Sequence, residues 1–116
     1  IGYPTANIMP QNSKKIVPKR GVYAVWIRVD RKYHAGMMNI GVRPTFEGEQ
    51  ETLEVNIFDF DDNIYGKEVQ IQFVDRIRDE RNFDGVEQLI DQLKSDEKSS
   101  KRILKNRSPH IAKQFK

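Results

Sequence analysis

The sequence predicts a mainly β domain: an antiparallel sheet, most economically closed as a small barrel, followed by helix. Three observations carry that expectation. Several segments are rich in β-branched and aromatic residues and alternate apolar with polar positions. Short turn-forming stretches join them, which favours antiparallel neighbours. After Asp84 the apolar spacing shifts from a strand's period to a helix's.

Four segments read as strands. Gly21 to Val29 (GVYAVWIRV) is the first, ending at Asp30-Arg31-Lys32, a plausible hairpin turn. Tyr33 to Val42 is the return strand, in which Gly36 and Gly41 imply a bulge or a close backbone approach. From Thr52 to Phe60, Leu53, Val55 and Ile57 alternate against Thr52, Glu54 and Asn56. Asp61-Asp62-Asn63 is a strong turn signal, and Glu68 to Val74 follows with Val69, Ile71 and Phe73 on one face. Val86, Leu89, Ile90 and Leu93 then fall at helical spacing, with Asp84 and Glu87 placed as a capping box. A second helix is expected over about Ser95 to Lys105, stopped by Ser108-Pro109.

At 116 residues the chain is one domain with room for one core, and neither a repeat nor an interdomain linker interrupts it. It has no cysteine, so disulfide and thiolate-metal chemistry are excluded and a reducing cytoplasm fits. No apolar run approaches the roughly 20 residues of a membrane span. The start at Ile1, without Met or signal peptide, reads as a piece cut from a longer protein. Net charge is +3, but the basic residues are dispersed in two loose groups, Lys14 to Arg20 and Lys98 to Arg107, each readable as a solvated face. Charge alone nominates no polyanionic partner.

Among motifs, Gly36-Met37-Met38-Asn39-Ile40-Gly41 has the glycine spacing of a phosphate-binding loop but continues Val42-Arg43 rather than Lys-Ser/Thr, which excludes a P-loop enzyme. His34 and His110 are too isolated for a zinc hydrolase or a Ser-His-Asp triad. In Pro4-Thr5-Ala6-Asn7, Thr5 and Asn7 project to the same side of an extended backbone and offer oxygen atoms to a hard cation or hydrogen bonds to a phosphate; the same tetrapeptide also makes an ordinary loop. Glu54, mid-strand on the polar side, faces bulk water or a polar cleft, where it would accept a proton from a substrate hydroxyl. Arg43 ends a strand at a proline-enforced bend, and Arg78 precedes the helix, readable as an exposed ion pair with Asp79 or Glu80. Residue chemistry alone yields a polar site without a reaction.

Taken together, Gly2-Tyr3-Pro4-Thr5-Ala6-Asn7, Gly21 to Val25, Asn39 to Phe46, Leu53 to Phe60, Ile64 to Lys67 and Arg78 to Phe83 resemble the riboflavin kinase (flavokinase) family, in order and spacing, over roughly residues 1–105. The wording is similar to the bacterial form, in which this module is the C-terminal half of a bifunctional riboflavin kinase/FAD synthetase. The resemblance implies a six-stranded antiparallel Greek-key barrel with a C-terminal helix, and transfer of the ATP γ-phosphate to the ribityl 5′-hydroxyl of riboflavin, giving FMN. It implies that Thr5 and Asn7 bind Mg²⁺ and ATP phosphate, that Glu54 is the general base, and that Arg78 lies at the flavin side. Leu89, Ile90 and Leu93 either line a slot for the flavin ring or simply pack the helix. Riboflavin/FMN and ATP/ADP are then the partners, with a fused N-terminal adenylyltransferase domain and neither nucleic acid nor membrane. Two departures stand out: the family's glycine- and arginine-bearing upstream strand and flap are not in residues 1–116, and Asn56 stands where histidine is common. The alternatives are a flavin-binding domain without catalysis and a small-barrel module for RNA or single-stranded DNA, for which Tyr23, Trp26 and Tyr33 would have to stack bases.

Overall fold

The computed structural model describes residues 2–10 and 17–110. It contains β1 (Ala6–Asn7), β2 (Gly21–Val29), β3 (Lys32–Thr45), β4 (Gly48–Ile57), β5 (Val69–Arg78) and one helix, α1 (Val86–Lys105). All pairings are antiparallel, in the order β1-β4-β3-β2-β5. Strands β2, β3 and β4 follow one another as hairpins, and the chain then returns to lay β5 beside β2. The expected mainly β domain with a C-terminal helix is therefore present.

Closure into a barrel is not. Among the described residues β1 pairs only with β4 and β5 only with β2, so the sheet is open between them. A cleft of about 1180 Å³ lies there, lined by Ile8, Val17, Leu53, Ile64, Val69 and Ile71 among others. Strands β3 and β5 run past their expected ends, while β4 begins earlier, at Gly48, and stops at Ile57 rather than Phe60. Asp30 (φ 49°) and Arg31 (φ 71°) form a two-residue left-handed turn whose twist suits a tight hairpin, so pairing starts at Val29 with Lys32. At the other end β3 continues through Pro44, which fits because β2 ends at Gly21 opposite Ile40 and leaves the far part of β3 paired only with β4. Phe46 caps this projecting arm, fully exposed. Strand β5 continues four residues beyond Val74, to Arg78, with register shifts against β2.

Alternation puts Tyr23, Val25, Ile27, Val29, Met38, Ile40, Leu53, Val55 and Ile57 on one face, where they form the core. Val22, Ala24 and Met37 bury the opposite face, the side that α1 packs against. Gly36 is the tightest point: a β-carbon there would lie 2.4 Å from Ile27 Cδ1 and 2.5 Å from the Asn56 carbonyl oxygen. Because backbone cannot step aside as a flexible side chain can, Gly36→Ala is expected to destabilise the fold by about 1–3 kcal/mol, measured by urea denaturation.

The two expected helices are one continuous helix. Its N-cap is Gly85 in extended conformation, with no side-chain cap, so the capping box at Asp84 and Glu87 does not form. The apparent break came from chemistry rather than geometry. The stripe of Leu89 and Leu93 continues through Asp96, Ser100 and Leu104, which are the three buried residues of α1. Two of those are polar, so the helical period fades from the sequence while the helix itself goes on.

Candidate active site

The register aligns one row of residues across the whole sheet. Asn7 of β1 pairs with Glu54 of β4, Glu54 with Asn39 of β3, Asn39 with Val22 of β2, and Val22 with Arg78 of β5. Paired residues share a face, and this is the face α1 packs on. Glu54 is thus flanked on both sides by carboxamides, and Arg78 lies three strand spacings away, about 14 Å along the sheet. Thr5 precedes Asn7 by one alternation. The structure therefore brings Asn7 and Glu54 together as neighbours and leaves Arg78 at the far end of the same row.

The near end is polar and uncommitted. The side chains of Thr5, Asn7, Asn39 and Glu54 make no hydrogen bond or ion pair with any other described residue. Their backbone, by contrast, is well fixed. Ile8 donates its N–H to the Leu53 carbonyl at 2.7 Å, and the buried Asn56 donates from Nδ2 to the Pro4 carbonyl at 2.6 Å. The Asn56 carboxamide thus helps to tie down the Pro4-Thr5-Ala6-Asn7 segment.

Tyr3 anchors the same segment to α1. Its hydroxyl donates to Glu97 Oε1 at 2.8 Å, and Lys101 Nζ reaches Glu97 at 2.8 Å and Asp59 at 3.7 Å. Burial, and then the hydrogen bond to Glu97, push the Tyr3 phenol up to about 12. The Lys101 and Tyr3 hydrogen bonds hold the Glu97 carboxyl below its usual range. The signs follow. A raised phenol contributes stability that is complete below pH 10 and is lost as pH climbs through 12; a lowered carboxyl contributes above its ordinary range and loses that in acid. Tyr3→Phe is expected to remove the alkaline loss, read as a flatter thermal-stability profile between pH 9 and about 12.

The far end is committed. Arg78 is bidentate on Asp96, with Nε 2.9 Å from Oδ1 and Nη2 2.8 Å from Oδ2, and its Nη1 donates to the Asp79 carbonyl at 3.0 Å. Gln92 Nε2 donates to Asp96 Oδ1 at 2.9 Å and in turn accepts from Arg81 Nη1 at 2.7 Å. Arg78 and Arg81 both lie over the Phe83 ring, at 5.8 and 5.2 Å. The expected partner of Arg78 is corrected: the Asp79 carboxylate pairs with Arg76 at 2.6 Å, and Asp96 holds Arg78. Half-buried Leu89, Ile90 and Leu93 lie on the N-terminal half of α1. Arg43, at the projecting arm, is exposed and takes no part.

Sequence reasoning missed Asn39 and Asp96. Asn39 sat in plain view within a motif but carried no signal of facing Glu54, because strand register is invisible in a single sequence. Asp96 looked like one more charge on a solvated helix. Its i,i+4 spacing to Gln92 and Ser100 was the available signal.

As for metal, no group of three or more His, Cys, Asp or Glu among the described residues is arranged to hold an ion. What the site does offer is neutral oxygen from Thr5 and Asn7. That donor set cannot cage a cation alone, but it fits one that keeps water and substrate-phosphate ligands, as Mg²⁺ does. No helix is long and apolar enough to cross a membrane.

Comparison with known proteins bears on the family. The family model described as Flavokinase: Riboflavin kinase matches residues 1–104. The bifunctional riboflavin kinase/FMN adenylyltransferases of Bacillus subtilis and Listeria monocytogenes are 43% and 46% identical over 91% and 87% of the chain. The chain spans about a third of their length, 34% and 32%. A further relative is the RNA-binding riboflavin kinase RibR of Bacillus subtilis, 42% identical over 83% of the chain and 41% of its own length. Among solved structures, one described as a macrolide-efflux protein from Streptococcus pneumoniae superposes with a TM-score of 0.81 at 44% identity, over 92% of this chain and 34% of that one. The chain belongs to the riboflavin kinase family.

Proposed function

We propose that this domain transfers the γ-phosphate of ATP to the ribityl 5′-hydroxyl of riboflavin, producing FMN and ADP. The observation that carries the reading is the row in which Asn7, Glu54 and Asn39, whose side chains have no partner among the described residues, stand side by side, with Arg78 in line beyond them. Glu54 accepts the hydroxyl proton as the alcohol oxygen bonds to the γ-phosphorus and the bond from phosphorus to the ADP oxygen breaks. A primary alcohol is a weak nucleophile at neutral pH, so a carboxylate within hydrogen-bonding reach acts as its proton becomes acidic. Asn7 and Asn39 orient the reacting groups from either side, and the rest of the work is alignment and charge neutralisation. Thr5 and Asn7 would hold Mg²⁺ together with the ATP phosphates, and the ion would supply that neutralisation. Arg78, fixed by Asp96, marks the flavin side, with Leu89, Ile90 and Leu93 as the apolar wall for the ring.

The same reading takes residues 1–116 as a riboflavin kinase domain acting in the cytoplasm, where ATP is at hand, and joined to an adenylyltransferase domain in the whole protein, as in the bifunctional relatives. It takes the fold as the six-stranded Greek-key barrel, with a strand from outside the described residues seated between β1 and β5. The return of β5 to lie beside β2 and the apolar cleft at the open edges support that.

The test is incubation of the full-length protein with riboflavin and MgATP, with FMN resolved by chromatography. FMN formation dependent on both ATP and metal is expected. Flavin binding without turnover would replace the kinase by a binding domain, and tight, salt-sensitive oligonucleotide binding without FMN would favour a nucleic-acid module.

A further inference from the structure

Beyond the row lies one more polar side chain with no assigned role. Glu80 follows the end of β5, and its carboxylate folds back onto the bare face of Gly41: a β-carbon at Gly41 would sit 1.8 Å from Glu80 Oε2 and 3.5 Å from Asn39 Nδ2. Gly41 pairs with Thr52 just as Asn39 pairs with Glu54, so this carboxylate stands one alternation along from Glu54, on the same face. It is joined to Arg78 through a single intervening residue, on the side of the site where the flavin reading puts the ring.

Its neighbours in sequence are all engaged. Asp79 gives its carboxylate to Arg76 and its carbonyl to Arg78, while Arg81 donates to Gln92. Glu80 makes no hydrogen bond or ion pair with any other described residue, and neither does Asn39. An acceptor-only carboxylate and a carboxamide, laid together on a glycine that leaves room for them, suit a ligand that presents several hydroxyl donors in succession. They do not suit a metal, since two carboxylates without a third ligating group form no cation site among the described residues.

We propose that Glu80 and Asn39 bind the secondary hydroxyls of the ribityl chain, fixing the polyol between the reacting 5′-hydroxyl at Glu54 and the ring near Arg78. The inference rests on the kinase reading above and adds to it the residues that read the polyol. Gly41 belongs to the same device, because any side chain there would displace the Glu80 carboxylate.

The experiment is a fluorescence-quenching titration of the full-length protein with riboflavin and with lumiflavin, which keeps the ring and lacks the polyol. Glu80→Ala is expected to weaken riboflavin binding ten-fold or more, the effect of about one charge-assisted hydrogen bond. Glu80→Gln, which keeps an acceptor oxygen, should recover part of that loss. Lumiflavin affinity and the KM for ATP should hold in both variants. Undiminished riboflavin affinity in Glu80→Ala, or an equal loss for riboflavin and lumiflavin, overturns the proposal while leaving the kinase reading intact. An unsubstituted protein that neither binds riboflavin nor forms FMN overturns both. Glu80 is exposed, so the variants are expected to fold as the parent does, checked by matching thermal melts.

Discussion

Glu54→Gln is expected to lower the rate of FMN formation by about 10²- to 10⁴-fold while leaving riboflavin affinity within a few fold, measured by steady-state assay beside a flavin-quenching titration. The substitution keeps the shape and the hydrogen-bonding oxygen of the side chain but cannot take a proton. Its flanking residues stay in place because register, not Glu54, sets them: Asn7 and Asn39 are held opposite position 54 by the β1–β4 and β3–β4 ladders. Among the described residues the carboxylate makes no ion pair whose loss would unfold the strand, so the effect should fall on kcat with little change in melting temperature. A variant that retains more than a tenth of the parent rate would remove Glu54 from the role of base. A variant that loses rate and fold together would make it a structural residue.

The largest effect on stability is expected at Asp96. Its side chain is 1% exposed and faces an Arg78 side chain that is 18% exposed, with Gln92 completing the contacts. Asp96→Ala leaves the guanidinium confined without its counter-charge and Gln92 without its acceptor. Removing one partner of such a pair costs about 3–5 kcal/mol, a large share of the 5–15 kcal/mol that holds a domain of this size. Urea denaturation measures it. The paired substitution of Arg78 by Met and Asp96 by Leu provides the contrast, since apolar groups of similar volume restore stability or raise it. If Arg78 serves the flavin side only as a structural post, that double variant should recover FMN formation along with stability. The kinase reading expects stability to return and flavin affinity to stay low.

The strands were legible from the sequence because their period is local. Leu53, Val55 and Ile57 against Glu54 and Asn56 announce a half-buried strand without reference to any other part of the chain. What escaped was everything set by partners. The hairpin at Asp30-Arg31 lengthened β3 through backbone twist, and the pairing of β3 with β4 carried a proline-bearing segment past where it would otherwise stop. Asp96 and Ser100 hid the second half of the helical stripe because burial of a polar residue depends on a counter-group from another element, here Arg78 from β5 for Asp96. In the candidate site, Thr5, Asn7, Glu54 and Arg78 are nominated by motif resemblance, whereas the place of Asn39 beside Glu54 needs the ladder. Residues 11–16, with the first part of the Lys14 to Arg20 basic group, lie outside those described.

The strand order has a kinetic side as well. Glu54 and Asn39 meet across one hairpin, a short and rapidly closed loop, and the β2–β3–β4 meander is local throughout. Asn7 meets Glu54, and Arg78 meets Val22, only after nearly half of the chain has been drawn together, so both ends of the row wait on the slowest closures. Pulse-labelling hydrogen exchange during refolding should protect the amides of Tyr23, Met38 and Asn56 first, and those of β5, Val55 and Ile8 last. A chain caught early in folding would own its scaffold and still lack both ends of that row.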